Sequence, residues 1–220
     1  MGNHTEDVAS TLSSFCGPPV AGDDGSFLRS DCRTGALAAG VHCAFAVAVV
    51  PCIVYLRHRY RNKSWLRLRC HNLRWLVTTA LLMLALGWIA EAILTDCASS
   101  SAAAARPYAH VLSTSLLVAV TCSIIYYHTI EIRNLPLLLV LLLCYWTLGI
   151  VAHGVRVASL YSRLANGAAV GGPRLFLDSS VFILFVVLLL IECYLFLQAR
   201  VSRVAATESH YLTILYLYSL

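Results

Sequence analysis

Charge is scarce in this chain. Lys, Arg, Asp and Glu make up 12% of its 220 residues, about half the share usual in a soluble domain. Hydrophobic residues reach 59% and the mean hydropathy is +0.75, so lipid is the expected solvent. Further absences narrow the chemistry. No GxxxxGKS/T phosphate loop occurs, which removes that route to ATP binding and hydrolysis. No TVGYG filter sequence occurs, so the chain is not by itself a potassium pore. The nine cysteines contain no CxxC pair, and neither metal nor cofactor is expected. No paired carboxylates stand at catalytic spacing and no nucleophile has partners, so an enzyme is not expected. The first thirty residues lack the apolar core of a signal peptide, leaving the first helix to direct its own insertion. The formal net charge of +5 does not indicate nucleic-acid binding, because the basic residues concentrate beside an apolar run rather than on a soluble face.

What the chain does contain is five apolar runs long enough to span a bilayer as helices, at about 36–56, 73–94, 111–127, 135–152 and 180–197. They are continuously apolar, without the period-two alternation of a membrane β-barrel. The expected fold is an all-α membrane protein, a bundle of five transmembrane helices. An extracytoplasmic segment covers 1–34, the helical domain 35–200 and a cytoplasmic tail 201–220. Short connections from the second helix to the third and from the third to the fourth favour antiparallel neighbours. No internal repeat appears, and an odd helix count offers no inverted-repeat symmetry. The runs 98–105, rich in alanine and serine, and 167–172, rich in glycine, read as outer linkers.

Orientation follows from the loops. Arg57, Arg59, Arg61, Lys63, Arg67 and Arg69 crowd the first connection, with Arg74 just beyond, and Arg133, Arg200 and Arg203 fall on the same side. That side is expected to be cytoplasmic, with the acidic N-terminal segment outside. Arg106, Arg156, Arg163 and Arg174 read as outer-loop residues that run against this trend.

Two acids fall within the apolar runs. Glu192 lies deep in the fifth, as a packing residue facing the bundle interior or as a coupling residue. Glu91 lies near the outer end of the second and is expected to reach water or pair with Arg106. Most cysteines sit in apolar helices as small hydrophobes. Cys16 and Cys32 instead share the outer segment, where a disulfide is expected, with Cys97 as a further outer thiol that competes. His71 and His128, at helix feet, are candidates for binding anionic headgroups or capping helix ends, a pH switch being the lesser alternative. Ala44, Ala46 and Ala48 in the first helix permit close helix approach, either to a partner or within the bundle.

Four ordered blocks carry a family resemblance: His71-Asn72-Leu73-Arg74-Trp75; Ile89-Ala90-Glu91-Ala92-Ile93-Leu94-Thr95-Asp96; Tyr126-Tyr127-His128 with Ile130-Glu131 and Asn134-Leu135-Pro136; and Tyr145-Trp146-Thr147-Leu148. They resemble the N-terminal five-helix domain of the sulfonylurea receptors, members of the C subfamily of ABC transporters. The likeness covers about residues 12 to 203 and is most specific in helices two to four. It implies a non-transporting domain of the plasma membrane that docks on an inward-rectifier potassium channel subunit and modulates it. The first helix would face the channel, and membrane lipids and the remainder of an ABC transporter would be further partners. It also implies that Cys16 and Cys32 match a disulfide pair, that Asn3 matches a glycosylated asparagine, and that Glu131, Leu135 and Pro136 match a cytoplasmic-side motif for assembly and gating. After Arg203 the sequence departs from the family's linker, as a divergent or truncated tail would. The alternative is the targeting and assembly domain of a multidrug-resistance-type ABC exporter.

The chain carries its own test of orientation, because Asn3-His4-Thr5 and Asn62-Lys63-Ser64 are both glycosylation sequons on opposite expected sides. Expressed in mammalian cells, the chain is expected to show a glycosidase-sensitive gel shift that Asn3→Gln abolishes and Asn62→Gln leaves intact.

Overall fold

The apolar runs fold as helices because, away from water, only a helix satisfies its backbone groups within one segment. The computed structural model describes residues 16, 26–59, 70–98, 107–133, 135–165 and 172–218, without the side chains of 26–31, 98, 107, 136, 137 and 202–218. Five helices follow in order: α1 (Ser26–Arg59), α2 (His71–Ala98), α3 (Pro107–Arg133), α4 (Val140–Ala165) and α5 (Gly172–Tyr218). A 3₁₀ turn, Pro136–Leu139, leads into α4. Within them, Cys32–Arg59, His71–Cys97, Tyr108–Arg133, Val140–Ala165 and Gly172–Val201 are long and apolar enough to cross a membrane. The protein is therefore a multi-pass helical membrane protein.

α1, α2, α3 and α5 outrun their apolar runs at both ends, whereas α4 begins at Val140, inside the expected 135–152 run, and extends past it to Ala165. The expected 111–127 span is the core of α3, and the expected 180–197 span begins eight residues inside α5. Hydropathy marks the lipid-facing stretch, whereas a helix continues as long as its polar residues find partners. Hydroxyls inside the spans satisfy themselves on the preceding turn: Thr78 donates to the Arg74 carbonyl at 2.9 Å and Thr129 to that of Ile125 at 2.7 Å. α1 begins inside the segment expected to precede the helical domain, and α5 runs on into the expected tail.

The helices close a ring in the order α1, α3, α2, α5, α4 and back to α1. α2 and α3 pack as expected, but α3 and α4 are not close neighbours. The reason lies in the 3₁₀ turn, which touches α3, α4 and α5 and carries the chain across the end of the bundle, with Leu139 fully buried. The Leu135 N–H bonds the Ile130 carbonyl at 3.2 Å, and the Tyr126 hydroxyl donates to the Leu138 carbonyl at 3.0 Å, which clamps this crossing to α3.

The core runs along the ring axis through Leu81, Leu116, Val120, Leu142, Trp146 and Phe185. The outward residues, Val47, Leu94, Val118, Val151 and Leu190 among them, are apolar and exposed, as lipid contact requires. One end of the ring holds Cys32 and the other holds His71. Arg156 and Arg163 lie within α4 and Arg174 within α5, which corrects their placement in outer loops. Arg106, the basic residues 61–69 and most of the two linkers lie outside the described residues, as do Asn3 and Asn62.

The tightest helix contact falls at Gly149 on α4, where a Cβ would overlap the Phe185 ring of α5. Gly149→Ala is expected to destabilise the bundle by about 1–3 kcal/mol, and adding Phe185→Leu to restore much of the loss, as read by thermal unfolding in detergent.

Candidate functional site

The buried ion pairs and histidines of this bundle are gathered in three layers. At the His71 end, Arg74 on the first turn of α2 is fully buried, and its Nε donates to Glu192 Oε1 of α5 at 2.6 Å. The Arg74 guanidinium lies over the Tyr127 ring of α3, 3.3 Å from its centroid, so the cation is covered by a π-face as well as by a carboxylate. Glu192 thus faces the interior, and its partner is an arginine first counted with the basic loop. Beside it, His71 Nδ1 stands 2.7 Å from the buried Glu131 carboxylate. His71 therefore pairs with a carboxylate, tying the foot of α2 to the end of α3. His128 packs its ring edge-on against Trp75.

The middle layer joins α1 to α4. His42 Nδ1 lies 3.1 Å from the Tyr145 hydroxyl, and its Nε2 lies 3.2 Å from His153 Nε2. Two imidazole nitrogens in contact share one proton between them, so the three side chains form one directional chain of hydrogen bonds. Phe45 stacks on Tyr145 with ring centroids 3.9 Å apart, and Phe185 packs against both His153 and Trp146.

At the Cys32 end, Arg156 of α4 holds Asp178 of α5 through Nε at 2.8 Å and Nη2 at 3.3 Å. Gly35 of α1 makes room for it, since a Cβ there would stand 3.1 Å from Arg156 Nη1 and 3.2 Å from the Tyr108 ring. Cys16 and Cys32 form a disulfide with Cα atoms 5.5 Å apart, buried against Tyr108 of α3. Cys97 is a free, exposed thiol. Glu91 is half-buried and lines a cleft with Asp96, Arg156 and Arg174.

Of the residues singled out in sequence, the structure gives Glu192, Glu131 and Glu91 distinct settings and does not bring them into one constellation. Leu135 and Pro136 sit in the crossing beneath α3, and the Pro136 side chain lies outside the described residues. Among the described residues no cluster of three or more potential metal ligands occurs. Sequence reasoning missed Asp178 and Arg156 because both fall beyond the apolar runs. It did not single out His42 and His153, although a histidine in mid-helix within a span is itself a signal of a buried polar partner.

A ring of five apolar helices cross-linked by buried ion pairs defines a helical transmembrane domain. No known family profile matches the chain. It is homologous to ATP-binding cassette sub-family C member 8, being 33% identical over 131 residues to the proteins of Cricetus cricetus, Rattus norvegicus and Homo sapiens. The match covers 60% of this chain and 8% of each relative, so the chain spans a small fraction of the curated relatives it matches. The homology and the five helices together support a transmembrane domain of the ATP-binding cassette sub-family C.

Removing one partner of a buried ion pair strands the other, which typically costs about 3–5 kcal/mol, whereas replacing both by apolar residues is close to neutral. Arg74→Met and Glu192→Met are each expected to lower the thermal midpoint in detergent strongly. The double variant is expected to recover most of the loss in a double-mutant cycle.

Proposed function

We propose that this chain is a non-catalytic docking domain that binds an inward-rectifier potassium channel subunit in the plasma membrane and modulates it, with its N-terminus outside and its C-terminus in the cytoplasm. The homology to a sub-family C protein supports the domain type. The observation that carries the docking reading is on α1. Ala36, Gly40, Ala44 and Ala48 recur every fourth residue and are all exposed. A Cβ on Gly40 would meet nothing within 4 Å. Ala44 and Ala48 therefore face away from the bundle, while Ala46 is half-buried. A ladder of small residues at helical spacing lets another transmembrane helix approach closely.

The orientation draws support from a cluster of positive charge at the His71 end. Arg57, His58 and Arg59 close α1 and Arg133 closes α3 at the same end, where the Arg133 Nη2 donates to the Arg57 carbonyl at 3.4 Å. At the opposite end Arg156 is neutralised by Asp178, so it carries no weight as an outer charge. On this reading Asn3 is glycosylated outside. Glu131, Leu135 and Pro136 form the cytoplasmic motif, held in shape by His71 and by the clamp on the crossing.

Co-purification of the tagged chain with an inward-rectifier subunit from gently solubilised membranes tests the proposal, with an unrelated five-helix domain as control. Selective recovery is expected. Gly40→Leu and Ala44→Leu are expected to cut that recovery about tenfold or more while leaving the thermal midpoint unchanged, since both positions face outward. Recovery no better than the control, from a folded chain, would move the reading to an exporter's targeting domain.

A further inference from the structure

A cleft opens at the Cys32 end among α2, α3, α4 and α5 and holds about 500 Å³ of free space, part of it open to the surroundings. Its apolar lining includes Trp88, Ala92 and Leu112, each more than nine-tenths buried. Glu91 and Asp96 of α2, Arg156 of α4 and Arg174 of α5 supply the charged lining.

Three of these four charged side chains are engaged. Arg156 holds Asp178 through two hydrogen bonds, and Asp96 holds His110 at 2.6 Å. Arg174 is held by the Tyr108 hydroxyl at 3.3 Å and by a further interaction. The Glu91 carboxylate is the exception. Its backbone carbonyl accepts from the Thr95 hydroxyl at 2.7 Å, but its side chain makes no ion pair among the described residues. Glu91 is nonetheless half-buried, and Trp88 stands one turn before it on the same face of α2. With His110 counted neutral and Asp178 included, three carboxylates stand against two guanidiniums here, so the charge in short supply is positive. A carboxylate drawn partly out of water without a cation beside it is costly, and charge-assisted hydrogen bonds from a cation relieve that cost. A hard metal ion fits poorly, since calcium takes about six or more oxygens and the described residues hold no cluster of three potential ligands. One unpaired carboxylate beside an apolar lining suits an organic cation, with the charge on Glu91 and the hydrocarbon on Trp88 and Leu112.

We propose that this cleft binds a small organic ammonium ion, its N–H groups donating to the Glu91 carboxylate and its apolar body packed on Trp88, Ala92 and Leu112. A soluble alkylamine or arylalkylamine offers that chemistry, and so does the amine of a single-chain lipid. Binding here is independent of channel docking, which uses the outer face of α1.

The test uses the purified full chain in a non-ionic detergent at neutral pH, with phenethylamine as the free probe and calorimetry as the readout. Saturable binding is expected, at least about tenfold tighter than that of phenethyl alcohol, which lacks the charge, or of ammonium, which lacks the apolar body. Glu91→Gln removes the carboxylate, and Thr95→Lys, at an exposed position one turn further along α2, supplies a tethered competing ammonium. Each is expected to weaken binding about tenfold while leaving the thermal midpoint unchanged. In a second arm, native mass spectrometry follows sphingosine retained from phosphatidylglycerol nanodiscs doped with it. Retention that Glu91→Gln abolishes, without binding of phenethylamine, assigns the ammonium to a lipid. Binding of phenethylamine without sphingosine retention assigns it to a soluble amine. Phenethyl alcohol binding as tightly as phenethylamine, wild-type affinity in both variants, or binding in neither arm overturns the proposal.

Discussion

Hydrocarbon offers no partner for a charge, so an arginine and a carboxylate placed in a membrane helix must find each other. α5 meets that constraint twice, with Asp178 on Arg156 of α4 near one end and Glu192 on Arg74 of α2 near the other. Fourteen residues separate the two acids, about 21 Å along a helix, so the pairs pin α5 to a different neighbour at each end. The ring order follows from this. α5 must lie between α2 and α4, and α1 and α3 are left to close the circle.

Between the pinned ends, packing and one hydrogen-bonded chain take over. Gly149 lets Phe185 press into α4, and the same ring touches His153, which meets His42 of α1. α1 is thus held by its inner face through His42, Phe45 and Val49, all buried, while its opposite face presents small residues outward. The disulfide adds a second hold at the far end, where Cys16, Cys32 and Tyr108 pack together. A helix anchored so completely on one side can offer the other to a partner without loosening the bundle.

The five spans were legible in the sequence because lipid exposure imposes a continuous apolar run, and that signal does not depend on tertiary contacts. Helix ends were less legible, because α3 and α5 extend through polar residues that only a folded neighbour can satisfy. Glu192 stood out as an acid in an apolar run, but its partner did not, since Arg74 sits at the edge of the basic loop and reads as one more positive charge. Arg156 and Asp178 were hidden for the same reason at the other end. The contact between His42 and His153 joins residues 111 apart in the chain, a pairing set by ring order rather than by any local pattern. Glu131, Leu135 and Pro136 were singled out by resemblance alone. The structure adds that Glu131 belongs to the joint between α2 and α3.

Both arginines deeply buried among the described residues pair with a carboxylate, and this has an electrical consequence. A transmembrane potential acts on an unpaired elementary charge with about 2.3 kcal/mol per 100 mV across the full membrane. Arg74 and Glu192 lie within 2.6 Å of each other and Arg156 and Asp178 within 2.8 Å, so the force on each cation is opposed by an equal force on its partner at nearly the same depth. The acids sit on α5 and the cations on α2 and α4, so each pair crosses the field as a neutral unit when α5 moves together with those neighbours. A concerted shift of the bundle would therefore move almost none of the charge of these two pairs through the field.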